Sequence, residues 1–211
     1  VFRDVQRGSS LPWHKDYTRP QLLKFFLPSR DSHAAAYYDW GSELETEWKE
    51  NYKLWMTFIN EYKNRGGRVT AGSDSGYMYN LYGFGFVQEL ELLREAGFHP
   101  MEVIRAGTLH AAEAIGMEDK IGTVEVGKLA DLILMDENPL KNLKYLYATG
   151  DIKLDEENDV VRVGGVEKTI KDGIVYDARL LLEDVKKIVD EEKSKTPDWK
   201  SLLYESIGRK N

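Results

Sequence analysis

Residues 68–83 read RVTAGSDSGYMYNLYG. Val69, Thr70 and Ala71 make a short run with β-branched content, bounded by glycines, and this predicts a buried strand over Arg68 to Ala71. Asp74 follows at the end of that run, inside Gly72-Ser73-Asp74-Ser75-Gly76. Its neighbours are too small to shield a carboxylate. A charge buried there would need a cation, a metal or backbone amides, because an unpaired buried charge is prohibitive.

Outward from this stretch the pattern becomes helical on both sides. Ser42 is placed as an N-cap with Glu45 three residues on, the spacing of a capping box. Trp48, Tyr52, Trp55, Met56, Ile59 and Tyr62 follow at steps of three and four, which predicts one apolar face. Gly66-Gly67 ends that helix. A second helix is expected from about Gly85 to Ala96. Helix, strand, loop and helix in that order suit one unit of an α/β fold with a buried parallel strand.

Pro100 fits the first turn of a further helix, and TLHAAEAIG (108–116) supplies a short one closed by Gly116. Beyond it the texture changes. KIGTVEVGKLADLILMD alternates and is punctuated by glycine, and Asp131 to Met135 reads as a strand. VVRVGGVEKTIKDGIVYD reads as a hairpin turning at Asp172-Gly173. Strands without interleaved helices suggest a small antiparallel sheet. Residues 178–194 form a charged amphipathic helix, and a short helical turn is expected around Leu202 to Ile207.

The first 42 residues lack clean periodicity but carry Trp13, Tyr17, Phe25, Phe26, Tyr37, Tyr38 and Trp40. Disordered segments are poor in aromatics, so this is expected to be a long ordered loop with short helical pieces, of the kind that forms lids. Hydrophobic residues at 42% and charged residues at 31% are ordinary for a soluble globular chain. A net charge of −7 without any basic stripe argues against a nucleic-acid partner. No apolar run approaches the roughly 18 residues needed to span a bilayer. Without cysteine there is neither a disulfide framework nor a thiolate metal site. Val1 opens VFRDVQRGSS, which has no signal-peptide regions and reads like the interior of a longer protein.

AGSDSG followed by a helix, and then VIRAGTLHAAEAIGMEDKIGTVEVGKLADLILMDENPL, closely resembles the end of metal-dependent amidohydrolases, most of all the branch of imidazolonepropionase and the prolidase-type peptidases. The second stretch is similar at Thr108, Ala111, Ala112, Gly116, Ile121-Gly122, Gly127-Lys128-Leu129-Ala130-Asp131 and Asn138-Pro139. The resemblance covers roughly residues 66–177.

It implies an α/β chain forming the C-terminal portion of a (β/α)8 TIM-type barrel plus part of a small β-sandwich. Residues 1–118 would be the barrel portion, with an active-site loop at 1–42 and the last helix–strand–helix unit at 43–98. Residues 119–177 would join a composite β-sandwich, and 178–211 would be a C-terminal helix and tail. The resemblance makes Asp74 the strand-8 aspartate, at once catalytic base and ligand of a divalent metal, with zinc the expected ion and one or two ions in the complete protein. A metal brings the pKa of water to about 7 and polarises a carbonyl, while a nearby carboxylate collects the proton. The family's His-x-His pair, bridging group and later histidines have no counterparts here. One carboxylate is not a metal site, since zinc catalysis uses three protein ligands, so the chain alone is expected to be inactive.

The expected substrate is a small molecule or a dipeptide-like compound, cleaved at a C–N bond. Tyr77 and Tyr79 follow Asp74 closely and are candidate substrate contacts, as is Tyr82, because tyrosine joins an apolar body to a polar tip. Packing under the lid is the competing reading for all three. His14 and His33 are read as structural rather than as substrate contacts, His99 as a surface cap and His110 as packing. Asp155-Glu156-Glu157 reads as a solvated loop. A non-catalytic binding or assembly protein of the same superfamily is the alternative function, and an exposed apolar face would mean either association with copies of itself or the loss of partner segments. A complete small α+β domain is the third reading. Compartment is not legible from the chain.

Overall fold

A computed structural model describes residues 11–27, 40–77 and 79–203 of the chain. His33, Tyr37, Tyr38 and the tail beyond residue 203 lie outside the described residues. The described residues fall into two units. One lies within Val1–Leu54, Asp74–Tyr82 and Leu182–Asn211, and the other comprises Trp55–Ser73 and Gly83–Leu181.

The larger unit is built around two helices, α4 (Gly85–Glu95) and α5 (Pro100–Gly107). Val87, Leu90 and Leu93 recur every three residues on α4, and all three are buried. That stripe is the apolar face a surface helix presents to its core. Gly97 ends the α4 region at φ 102°, a conformation costly for any residue with a Cβ. Pro100 then opens α5, where its missing N–H is no loss. Leu90, Leu93, Ala96, Phe98, Val103, Ala106 and Leu143 form one cluster, with Met56, Ile59, Val69 and Ala71 packed against it. Full burial of a leucine or phenylalanine side chain contributes about 1.5–3 kcal/mol. The short helix α6 (Leu109–Ala114) follows and closes at Gly116, φ 67°.

The strands of this unit are antiparallel. The sheet orders β1 (Leu132–Leu134), β4 (Lys168–Lys171) and β5 (Ile174–Asp177), with Leu132 opposite Ile170 and Ile170 opposite Val175. Asp172 and Gly173 both have positive φ, 50° and 78°, the signature of a type I′ hairpin turn. Asp131 pins this turn: its carboxylate accepts from the Asp172 backbone N–H at 2.7 Å and pairs with Lys171. The Lys171 ammonium, then the Asp172 amide, hold the Asp131 carboxyl below the usual range. VVRV is not part of that hairpin. As β3 (Val160–Val163) it pairs instead with β2 (Asp151–Leu154). Gly164 and Gly165, both at positive φ, break the run before β4. In the β2–β3 turn the Asp155 carboxylate accepts from the amides of Glu157 and Asp159.

The smaller unit contains α1 (Pro12–Tyr17) and α2 (Pro20–Phe26), each opened by proline as a helix start allows. His14, Thr18, Leu23 and Phe26 are buried here. Helix α7 (Ala178–Ser194) buries Val189 and lays Lys193 over the Trp199 ring at 4.4 Å. Lys193 also donates to the Lys15 carbonyl, Lys186 pairs with Asp16 at 3.1 Å, and Gln21 donates to Glu192 at 3.0 Å. A 3-10 turn forms at Trp199–Leu202, and most of the helical turn expected around Leu202 to Ile207 lies outside the described residues.

Three expectations are corrected. The long helix α3 (Ser42–Asn64) forms, but Ser42 is its first residue, and the Glu45 amide donates to the Gly41 carbonyl. Its apolar residues do not share one face: Trp48, Tyr52, Met56 and Ile59 are half-buried, whereas Trp55 and Tyr62 are exposed. Arg68 to Ala71 form no strand. A strand exists only through a paired neighbour, and among the described residues no strand pairs with this segment. Among the described residues no helix is long and apolar enough to cross a membrane.

Candidate active site around Asp74

The segment leading to Asp74 is fixed by tethers rather than by a ladder. Arg68 pairs with Glu113 at 3.1 Å, and the Val69 carbonyl lies 3.1 Å from Nδ1 of His110. The Ala71 amide donates to the Ala106 carbonyl at 3.2 Å. Val69 and Ala71 are half-buried while Arg68 and Thr70 are exposed, the alternation of extended chain. Helix α5, which supplies Ala106, is itself anchored at its start. Glu102 reaches back to the His99 amide at 2.7 Å and binds Lys63 at 2.8 Å. The Lys63 hydrogen bond first, and then the His99 amide, hold the Glu102 carboxyl below its ordinary value.

Asp74 itself is exposed, with φ 46°. The carboxylate is therefore solvated, and the expected burial at the end of a strand does not occur. Among the described residues it has no ion pair or side-chain hydrogen bond, so its oxygens are available to a ligand from solution. Left-handed backbone is tolerated by aspartate better than by most residues.

The loop that follows folds back on itself. Gly76 donates to the Asn80 carbonyl at 2.7 Å, and Asn80 donates to the Tyr77 carbonyl at 2.8 Å. A Cβ at Gly76 would stand 2.6 Å from the Tyr82 hydroxyl, so the turn is closely packed as well as left-handed. Tyr77 is half-buried and Tyr82 exposed. Tyr79 is only 3% exposed; its ring meets Phe26 at 4.9 Å and the edge of His14 at 5.6 Å. Tyr79 also has φ 62°. For a bulky side chain this is a true outlier, costing about 1–3 kcal/mol and kept only where surrounding contacts over-determine it.

The described histidines, His14, His99 and His110, stand on separate elements. His14 is wholly buried, its Nδ1 2.9 Å from the Thr18 hydroxyl. His99 stands at the start of α5 and His110 holds Val69. The described residues contain no group of three or more His, Asp or Glu able to hold a metal ion. Asp74 by its chemistry fits as one ligand of a divalent ion, but these residues do not make a metal site by themselves. The tether from His110 was not legible as such, because a single histidine on a short helix carries no spacing signal.

A model of the amidohydrolase family matches residues 55–175, more than half of the chain. The imidazolonepropionase of Symbiobacterium thermophilum is 40% identical over 75 residues, which are 33% of this chain and 16% of that protein. The 5'-deoxyadenosine deaminase of Methanobrevibacter smithii is 44% identical over 52 residues, 25% of this chain and 12% of that protein. The crystal structure of a Xaa-Pro dipeptidase aligns at 28% identity with a TM-score of 0.42, over 58% of this chain and 25% of that one. The chain thus spans less than a fifth of the length of either curated relative.

Proposed function

The chain belongs to the amidohydrolase family, and from that premise we propose that the complete protein is a hydrolase cleaving a C–N bond in a small cyclic amide or dipeptide-like substrate. In this reading residues 1–118 are the C-terminal portion of a (β/α)8 barrel. Residues 119–177 belong to a composite β-sandwich, and 178–211 are its terminal helix and tail. Asp74 is the residue of this chain at the reacting centre. One observation carries the proposal: an exposed carboxylate without a partner among the described residues, at the end of a segment tethered at three points. Both relatives named above, an imidazolonepropionase and a deaminase, support chemistry at a C–N bond.

The amidohydrolase family generally uses divalent metals, and Asp74 would be one ligand, the others coming from outside the described residues. When bound, such an ion polarises a carbonyl and acidifies water. Asp74 contributes a carboxylate that takes up the proton of an attacking water and returns it to the leaving nitrogen. The loop of Gly76, Tyr77 and Asn80 sets the floor beside it, with Tyr77 as the contact to substrate. On this reading the chain by itself does not turn over substrate.

The test is Asp74→Asn in the complete protein, assayed against a panel of cyclic amides and dipeptides, with circular dichroism as the control for folding. The expected result is loss of turnover in a folded protein. Activity equal to the unaltered protein removes Asp74 from the reaction. A complete protein inert to the whole panel, yet binding a partner, would establish the non-catalytic reading instead.

A further inference from the structure

The loop after Asp74 is held by a residue that the chemistry does not call on. We infer that Tyr79 is a positioning residue: its ring bolts the 74–82 loop onto α1 and α2 and so fixes where Asp74 stands. The inference rests on the reading of Asp74 as the reacting carboxylate.

The observations converge on this one side chain. Tyr79 is 3% exposed and enters a pocket floored by Phe26, which is fully buried, and by His14, also fully buried. Leu22 and Tyr77 complete the contact. The edge-on approach to His14, at 80° between ring planes, and the tilted contact with Phe26 are favourable aromatic geometries. His14 is fixed in turn by Thr18 one helical turn on. The backbone of Tyr79 is left-handed, as is that of Asp74 five residues earlier. Hydrogen bonds from Gly76 to Asn80 and from Asn80 to Tyr77 tie the turn together. An aromatic residue keeps such a backbone only because its ring contacts outweigh the strain. The ring is thus the fastening, and the closed turn carries its position to Asp74.

A fastening and a substrate contact make different demands. The fastening needs ring packing and tolerates loss of the hydroxyl, so Tyr79→Phe should behave as the unaltered protein. Tyr79→Gly suits positive φ, so it removes the ring without adding backbone strain, and circular dichroism checks that the fold is kept. In the complete protein, Tyr79→Gly should lower kcat by ~10–100-fold with little change in KM, the size expected when a reacting group is misplaced by about 1 Å. Hydrogen exchange over residues 75–82 should accelerate in Tyr79→Gly and stay unchanged in Tyr79→Phe. Phe26→Leu, a milder change at the other side of the contact, should shift both readouts in the same direction.

A KM that rises with kcat unchanged would overturn the inference, since that marks a substrate contact. Unchanged exchange over 75–82 in Tyr79→Gly would overturn it too. The exchange readout stands apart from the activity of Asp74. If Asp74→Asn keeps full turnover while Tyr79→Gly loosens the loop, the proposed function fails and the fastening stands. If Asp74→Asn is inactive and the loop is indifferent to Tyr79, the opposite holds.

Discussion

Glu102 is the most exacting test of how the approach to Asp74 is built. It performs two tasks at once, accepting from the His99 amide at 2.7 Å and from Lys63 at 2.8 Å. Glu102→Ala removes both. Loss of a helix N-terminal cap costs about 1 kcal/mol. The Glu102 side chain is 38% exposed, so screening reduces the ion pair with Lys63 to about 0.5 kcal/mol. The sum, about 1.5 kcal/mol, is roughly a tenfold change in an opening equilibrium. Hydrogen exchange reads it locally, at the first turn of α5, where the Val103 amide donates to the His99 carbonyl. Glu102→Gln keeps an acceptor oxygen and should lose less. The sign with pH is fixed by the depressed carboxyl. Its stabilisation is complete above the ordinary carboxylate value and disappears as the pH falls through the lower folded value. The gap in protection between the unaltered protein and Glu102→Ala should therefore narrow as the pH falls below the ordinary glutamate value of about 4.3. Protection within twofold of the unaltered protein at pH 7, or a gap that persists at low pH, would refute this account of the anchor.

Two further substitutions probe the larger unit. Phe98→Ala empties a site 1% exposed at the centre of the main cluster and beneath the Lys63 ammonium. It should cost about 3–5 kcal/mol in denaturant unfolding, and a loss below about 1 kcal/mol would mean that the cluster is not the core. Gly150→Ala puts a Cβ 2.6 Å from the Val163 carbonyl oxygen and 2.9 Å from that of Gly164, at φ 66°. Both obstacles are backbone and cannot swing aside, so the unfolding midpoint should fall by the equivalent of ~1 kcal/mol or more; an unchanged midpoint would contradict the geometry of the β2–β3 hairpin.

What was legible in the chain was what a few adjacent residues decide alone. Asp172-Gly173 specifies its turn because two successive residues must tolerate positive φ, and the structure uses them so. Helices at Pro100 and before Gly116 were likewise local statements. The errors lie where a residue's state depends on a distant partner. Val69 to Ala71 has strand composition, yet composition cannot supply the second backbone that a ladder requires. VVRV pairs with β2, which begins nine residues upstream, rather than with the hairpin that follows it. The apolar positions of α3 share a helical spacing but not a common neighbour, so two of the six, Trp55 and Tyr62, are exposed. At the site the same division holds. Asp74 is singled out only by the resemblance of its surrounding motif, and its exposure is not legible there, because burial is a property of the packing around it. Tyr79 shows the limit most sharply: in sequence it is one tyrosine of three behind an aspartate. Only the left-handed backbone and the ring's burial against Phe26 and His14 separate a fastening from a contact surface.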